Sequence, residues 1–351
     1  MASHAIFGLL VLCGASAHAP PRGRSPEGPV LPTHGVVGAC AAPAARPCGV
    51  CVVTDVDDTL KSSGGWMLGG IALGGVDSSF SRGSYYPGVV QFELELSLHG
   101  LPPGQPPHDA AILTARAVEL LAFLEIAPDS PLCERFRAAG AEMGCEWRVG
   151  DVLYGSVQEW ICQERKGARK VRNFAQLAAR RRAAARGEPA AFIFCGDSGW
   201  SERDEEAIDG ISQTRLLSAA FVHVVSDDWS AGAPRVPPDR TTADGVPVAH
   251  FLTYPGAALK AARLGLLGAS ALLRICASAE RDATRDPRNL PAGGLNDALL
   301  RTDLAEARAF AACAERAPAA SARWPAVGAA DAGAGKQPAA DGDASPLLPA
   351  R

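Results

Sequence analysis

The feature that most constrains this chain is a short apolar run, Val50–Thr54, that stops on Asp55-Val56-Asp57-Asp58-Thr59. An uninterrupted stretch of this length, rich in β-branched residues, reads as a strand buried on both faces, as in parallel sheets. The pattern recurs down the chain. Residues 110–113 are apolar and end on Thr114, residues 191–195 end on Gly196-Asp197, and residues 220–225 end on Ser226-Asp227-Asp228. Helical stretches lie between them: 89–98 after Pro87-Gly88, 117–126 with Leu120, Leu121 and Leu124 on one face, and a basic 170–186 with Phe174 and Leu177 a turn apart. The alternation predicts an α/β fold, a Rossmann-like parallel sheet with helices on both faces. Ligands of such sheets bind at the carboxyl ends of the strands, which is where the polar residues fall.

The residue types at those strand ends suit phosphoryl transfer. Two carboxylates two residues apart can divide labour, with Asp55 as nucleophile and magnesium ligand. Asp57 serves as general acid and base, protonating the leaving alkoxide and then activating water. Magnesium takes oxygen ligands and keeps several waters, so a few carboxylates suffice. The expected ligands are Asp55, Asp57, Asp197 and Asp204, with Glu202 the alternative to Asp204 as last acidic residue. Thr114 is placed to donate to phosphate oxygens. The cation is Lys166 or Lys170, and Lys170 is preferred because it begins the helix leading to the strand of Asp197.

DxDxT, a strand-end Thr, a Lys and a Gly-Asp strand end, in this order, resemble the four-motif signature of the haloacid-dehalogenase superfamily. Within it, residues 54–61 and Gly196-Asp197-Ser198-Gly199 with nearby Asp204 look like the phosphatidate phosphatases of the actin-patch type. The turn Pro87-Gly88-Val89 fits that pattern, whereas Leu113-Thr114-Ala115-Arg116-Ala117 is closer to the related lipin catalytic domain. The resemblance covers residues 50–228. It implies a haloacid-dehalogenase-like fold and Mg²⁺-dependent hydrolysis of a phosphomonoester through an aspartyl-phosphate, with phosphatidate as substrate and diacylglycerol as product. One departure is that Trp200-Ser201-Glu202-Arg203 lengthens the step from Asp197 to Asp204. Residues 59–110 are too short and Gly-rich for a full α/β cap, so no large cap domain is expected beyond a small helical lid, and an open site suits a lipid headgroup or a macromolecular phosphate. Two readings stand beside this one: a soluble phosphomonoesterase, and a non-catalytic lipid- or protein-binding module on the same fold.

Around the phosphatase-like domain at 49–253, the chain divides into a targeting segment at 1–19, a Pro/Ala-rich lead-in at 20–48, a helical extension at 254–317 and a disordered tail at 318–351. Ala17-His18-Ala19 after an apolar core reads as a cleaved signal and implies the secretory pathway, with a plastid or cytoplasmic location as alternatives. A net charge of −4 offers no basic field for nucleic acid. The partners expected are a phosphorylated substrate and, peripherally, a membrane lipid. Ten cysteines are scattered without a disulfide framework, and Cys48-Gly49-Val50-Cys51 precedes a strand instead of opening a helix. The histidines show no metal spacing and read as structural. Gly196-Asp197-Ser198-Gly199 also occurs around trypsin-like nucleophiles, but no base histidine or two-barrel pattern accompanies it. Glycines 64–75 match no phosphate loop and read as a flap beside Asp57, whose Trp66, Met67, Leu68, Ile71 and Leu73 either touch a lipid surface or, the preferred reading, pack onto the domain.

Overall fold

A computed structural model describes residues 49–68, 71–72, 74–102, 104–117, 126–155, 166–183, 188–230 and 232–316. The chain is an α/β protein built on a seven-stranded sheet in the order β5-β4-β1-β6-β7-β9-β8. Its strands are β1 Val50–Thr54, β4 Ala110–Ala117, β5 Val149–Gly155, β6 Ala191–Asp197, β7 Leu217–His223, β8 Arg240–Thr241 and β9 Pro247–Phe251. All pairs are parallel except β8–β9. β2 Met67–Leu68 and β3 Ile71–Ala72 form a separate small hairpin.

The helices are α1 Val89–Ser97, α2 Pro131–Glu142, α3 Lys166–Ala183, α4 Gly199–Ser212, α5 Tyr254–Arg263, α6 Ala269–Arg285 and α7 Leu295–Arg316. Alternation along β1 divides the core in two. Val50 and Val52 face a cluster built with Phe92 of α1, Phe136 of α2, Ala258 of α5, Ile275 of α6 and Leu304 of α7. Cys51 and Val53 face the opposite cluster, built with Phe174 and Leu177 of α3 and Ile208 and Ile211 of α4. Both faces of β1 are therefore dry, which is why its sequence is continuous and not alternating.

Local signals set the helix starts. Ser130 caps α2 by accepting from the Cys133 N–H, with Pro131 in the first turn, and Thr253 caps α5 the same way through the Gly256 N–H. α1 starts at Gly88, whose φ of 84° and whose approach to α6 both require glycine: a Cβ there would lie 2.9 Å from Ala279 Cβ.

The structure differs from the sequence reading in several places. The helical extension expected at 254–317 is present as three helices, α5, α6 and α7, with α5 and α6 broken where Gly265 turns with φ 76°. α3 is present by Lys166, so Lys170 sits one turn inside it and does not begin it. The helix expected at 117–126 falls on residues outside those described, apart from Ala117, which ends β4, and Ile126. Segments 1–48 and 318–351, with the targeting, lead-in and tail expectations they carry, also lie outside the described residues.

The chain order sets the position of the site. From the central β1 the chain passes to β4 and β5 on one side, then returns to β6 and runs outward through β7 and β9 on the other. The connections diverge at β1, and the crevice at the carboxyl end of such a strand is where ligands bind in open α/β sheets.

Candidate functional site

Register brings the strand-end residues together. Thr54 aligns with Ile112 on β4 and with Cys195 on β6. Two residues further along those neighbours stand Thr114 and Asp197, on either side of the chain leaving β1. The Asp55 N–H continues the ladder by donating to the Cys195 carbonyl at 3.0 Å.

Asp55 is buried, with one carboxylate oxygen accepting from the Val56 N–H at 2.7 Å and the other 2.7 Å from Lys170 Nζ. Lys170 reaches the sheet edge from α3 and donates to Asp204 as well. Asp204 projects from α4, and its second oxygen accepts the Asp197 N–H at 3.1 Å. Gly196 precedes Asp197 because Asp204 needs the space: a Cβ at Gly196 would lie 2.2 Å from the Asp204 carboxylate. Asp197 in turn accepts the Gly199 N–H at 2.7 Å, at the start of α4, where helix N–H groups favour an anion.

Asp55, Asp197 and Asp204 each present an oxygen within 4.8 Å of the others. Burial pushes the Asp55 and Asp197 carboxyls above their ordinary values, and Asp204 raises both further. Burial works against the Lys170 charge, yet Asp204 and Asp55 hold it above its ordinary value. Three clustered carboxylates served by one ammonium leave an excess of negative charge that a cation offsets. Hard oxygen donors in this arrangement suit a divalent metal ion.

Asp57, expected among the metal ligands, is the exception. Its two oxygens accept from Arg116 Nη2 at 2.8 Å and Nε at 2.9 Å, a bidentate pair in which both side chains are largely buried. Its carboxylate is thus committed to a guanidinium and stands apart from the triad. Arg116 lies two residues past Thr114 on β4, so the strand that supplies the hydroxyl also supplies this partner. Thr114 is buried, and its hydroxyl accepts the Arg116 N–H at 3.3 Å. The side chains of Lys166 and Glu202 lie outside the described residues.

The sequence reading assigned no role to Asp58 or Arg116. Asp58 adopts φ 62°, and its buried carboxylate accepts from the N–H groups of Ser63, Val76 and Asp77. It thereby pins both roots of the glycine-rich segment that carries the β2–β3 hairpin. Burial pushes its carboxyl up to about 6 despite those donors. A third acid in Asp55-Val56-Asp57-Asp58 gave no hint of that role, because the contacts span up to nineteen residues. The segment does border Asp57: a Cβ on Gly74 would lie 3.3 Å from Asp57 Cγ. Trp66, expected to pack onto the domain, is instead 60% exposed. The side chains of Met67, Leu68, Ile71 and Leu73 lie outside the described residues. His223 is buried with its ring nitrogens on the carbonyls of Asp58 and Leu252, and it is not one of the residues of the carboxylate cluster.

No protein-family model, curated protein or solved structure matches this chain.

Proposed function

We propose that the chain is a Mg²⁺-dependent phosphomonoester hydrolase on a haloacid-dehalogenase-like fold. The observation that carries the reading is the meeting of Asp55, Lys170, Asp204 and Asp197 at the strand end where the sheet connections diverge. Asp55, Asp197 and Asp204 would hold the magnesium ion, which when bound offsets the repulsion between carboxylates and an incoming phosphate.

In this reading the free oxygen lone pair of Asp55 attacks phosphorus and forms an aspartyl-phosphate as the ester oxygen departs. Lys170 neutralises negative charge beside Asp55 throughout, and the Thr114 hydroxyl donates to a phosphate oxygen. Asp57 gives its proton to the leaving alkoxide and then takes one from the water that cleaves the acyl phosphate at phosphorus. Both Asp57 oxygens are occupied by Arg116, so that exchange needs the guanidinium to turn away. An incoming phosphate supplies a competing bidentate partner for it.

For substrate, the proposal is phosphatidate, giving diacylglycerol. Between β1 and α1 the described residues hold only the two-residue strands β2 and β3, which supports a site without a large cap. Release of inorganic phosphate is the test, measured with Mg²⁺ on an aryl phosphate and on vesicles containing phosphatidate. Turnover of both, lost in Asp55→Asn and on chelation, supports the proposal. Turnover of the soluble ester alone removes the lipid assignment, and turnover of neither favours a binding module.

A further inference from the structure

A groove of about 710 Å³ is walled by Trp66, Phe80, Arg82, Trp229, Arg288 and Leu295. Among the described residues three large apolar side chains are exposed. Two of them, Trp66 at 60% and Leu295 at 39%, stand on this groove. Concentrated exposure of this kind marks an interaction surface, since scattered single residues are the norm.

Asn289, Asn296 and Trp229 in the wall are bonded to neighbouring protein groups. Asn289 accepts the Ser81 N–H at 2.6 Å and donates to Ser84 at 2.8 Å and Asp286 at 2.6 Å. Asn296 donates to the Ser79 carbonyl at 2.8 Å, and the Trp229 indole N–H to the Ser226 carbonyl at 3.1 Å. A sugar or a peptide would need those donors and acceptors. The wall instead offers apolar surface with cations: Arg82, which donates to the Ser63 carbonyl at 3.4 Å, lies 5.3 Å from the Trp66 ring centroid, Arg288 is exposed, and no carboxylate is among the lining residues. An aromatic ring beside basic side chains is the chemistry that seats at a bilayer interface bearing anionic headgroups.

We infer that this groove docks the protein on an anionic phospholipid bilayer, with Trp66 and Leu295 entering the headgroup layer and Arg82 and Arg288 facing the lipid charge. The choice of a lipid surface rests on the phosphatidate reading and deepens it. The geometry ties the two sites together, because Asp58 anchors one segment that borders Asp57 through Gly74 and walls the groove through Trp66. A bilayer seated on the groove therefore lies against the segment that flanks the acidic site.

The test is flotation of the full chain with vesicles of phosphatidylcholine, alone or mixed with phosphatidylserine, alongside turnover of a soluble aryl phosphate. The wild type is expected to float with the mixed vesicles and poorly with phosphatidylcholine alone. Arg288→Ala weakens partitioning about fivefold, and Trp66→Ala by about tenfold or more. Both variants keep wild-type melting and aryl phosphate turnover, since neither residue belongs to the acidic site. Absence of wild-type flotation overturns the inference. So does flotation that neither substitution changes, or binding of an oligosaccharide or peptide array through these residues in place of vesicles. Groove-dependent flotation without turnover of any phosphoester leaves docking standing and removes the phosphatase reading.

Discussion

Lys170 Nζ stands 2.7 Å from Asp55 and donates at the same time to Asp204, so one ammonium from α3 serves carboxylates from β1 and α4. Both pairs are buried, and removing the cation strands two acids without water or counter-charge. Lys170→Met is expected to lower unfolding free energy by about 3–5 kcal/mol without added metal. Part of that loss returns in millimolar Mg²⁺, while phosphatase activity stays at background. Urea titrations with and without Mg²⁺ measure this, and an unchanged midpoint contradicts the role given to Lys170.

The triad also makes metal binding visible without turnover. A cation that binds only the folded chain stabilises it by about 2.7 kcal/mol at a hundredfold excess over its dissociation constant. Mg²⁺ should therefore raise the melting temperature of the wild type and leave Asp197→Asn and Asp204→Asn nearly unmoved. Equal shifts in all three proteins place the ion elsewhere.

Arg116 holds Asp57 through two hydrogen bonds that a lysine cannot reproduce. If the guanidinium passes from Asp57 to the substrate phosphate, Arg116→Ala raises KM more than it lowers kcat, with kcat/KM falling about 10²-fold. Arg116→Lys recovers little of that. Steady-state kinetics on an aryl phosphate decide it, and a KM that stays at the wild-type value argues against the transfer.

Glu93 of α1 is fully buried, and the Thr54 hydroxyl beside it, which donates to the Asp55 carbonyl, offsets only part of the cost of burying its charge. Burial pushes its carboxyl from 4.5 up to about 8. The native state then binds this proton more tightly than the unfolded chain does. Its contribution is full below about 4.5 and is lost as pH climbs to about 8. Glu93→Gln should flatten that decline and be the more stable protein at pH 8, by an amount on the order of a few kcal/mol. Parallel stability curves for the two proteins across this range would sink the idea.

What the sequence made legible follows from how locally each element is encoded. β1 is a run of β-branched and apolar residues dry on both faces, so its bounds could be read directly. β5, Val-Gly-Asp-Val-Leu-Tyr-Gly, escaped notice because an edge strand needs little apolar character, and glycine and aspartate interrupt it. α4 opens on Gly199 and runs through acidic residues, so it reads as a loop until its apolar Ala207, Ile208 and Ile211 meet the sheet. The site was legible where an acid ends a strand, as at Asp55 and Asp197. Asp204 was named only alongside Glu202, because Trp200-Ser201-Glu202-Arg203 lengthens its step from Asp197. The engagement of Asp57 by Arg116 was not legible, because it depends on which way side chains point beyond the paired part of β4. Asp58 was hidden for a similar reason: its partners are brought back by a turn whose path has no local signature.

The proposed hydrolysis runs through Asp55 as nucleophile. Rapid acid quench during turnover, followed by borohydride reduction and peptide mass analysis, converts an aspartyl-phosphate into homoserine and reports its position. Homoserine is expected at position 55 only, appearing with substrate and Mg²⁺ and absent from Asp57→Asn before turnover begins. Steady phosphate release with no modification at 55, or with modification at another residue, contradicts it.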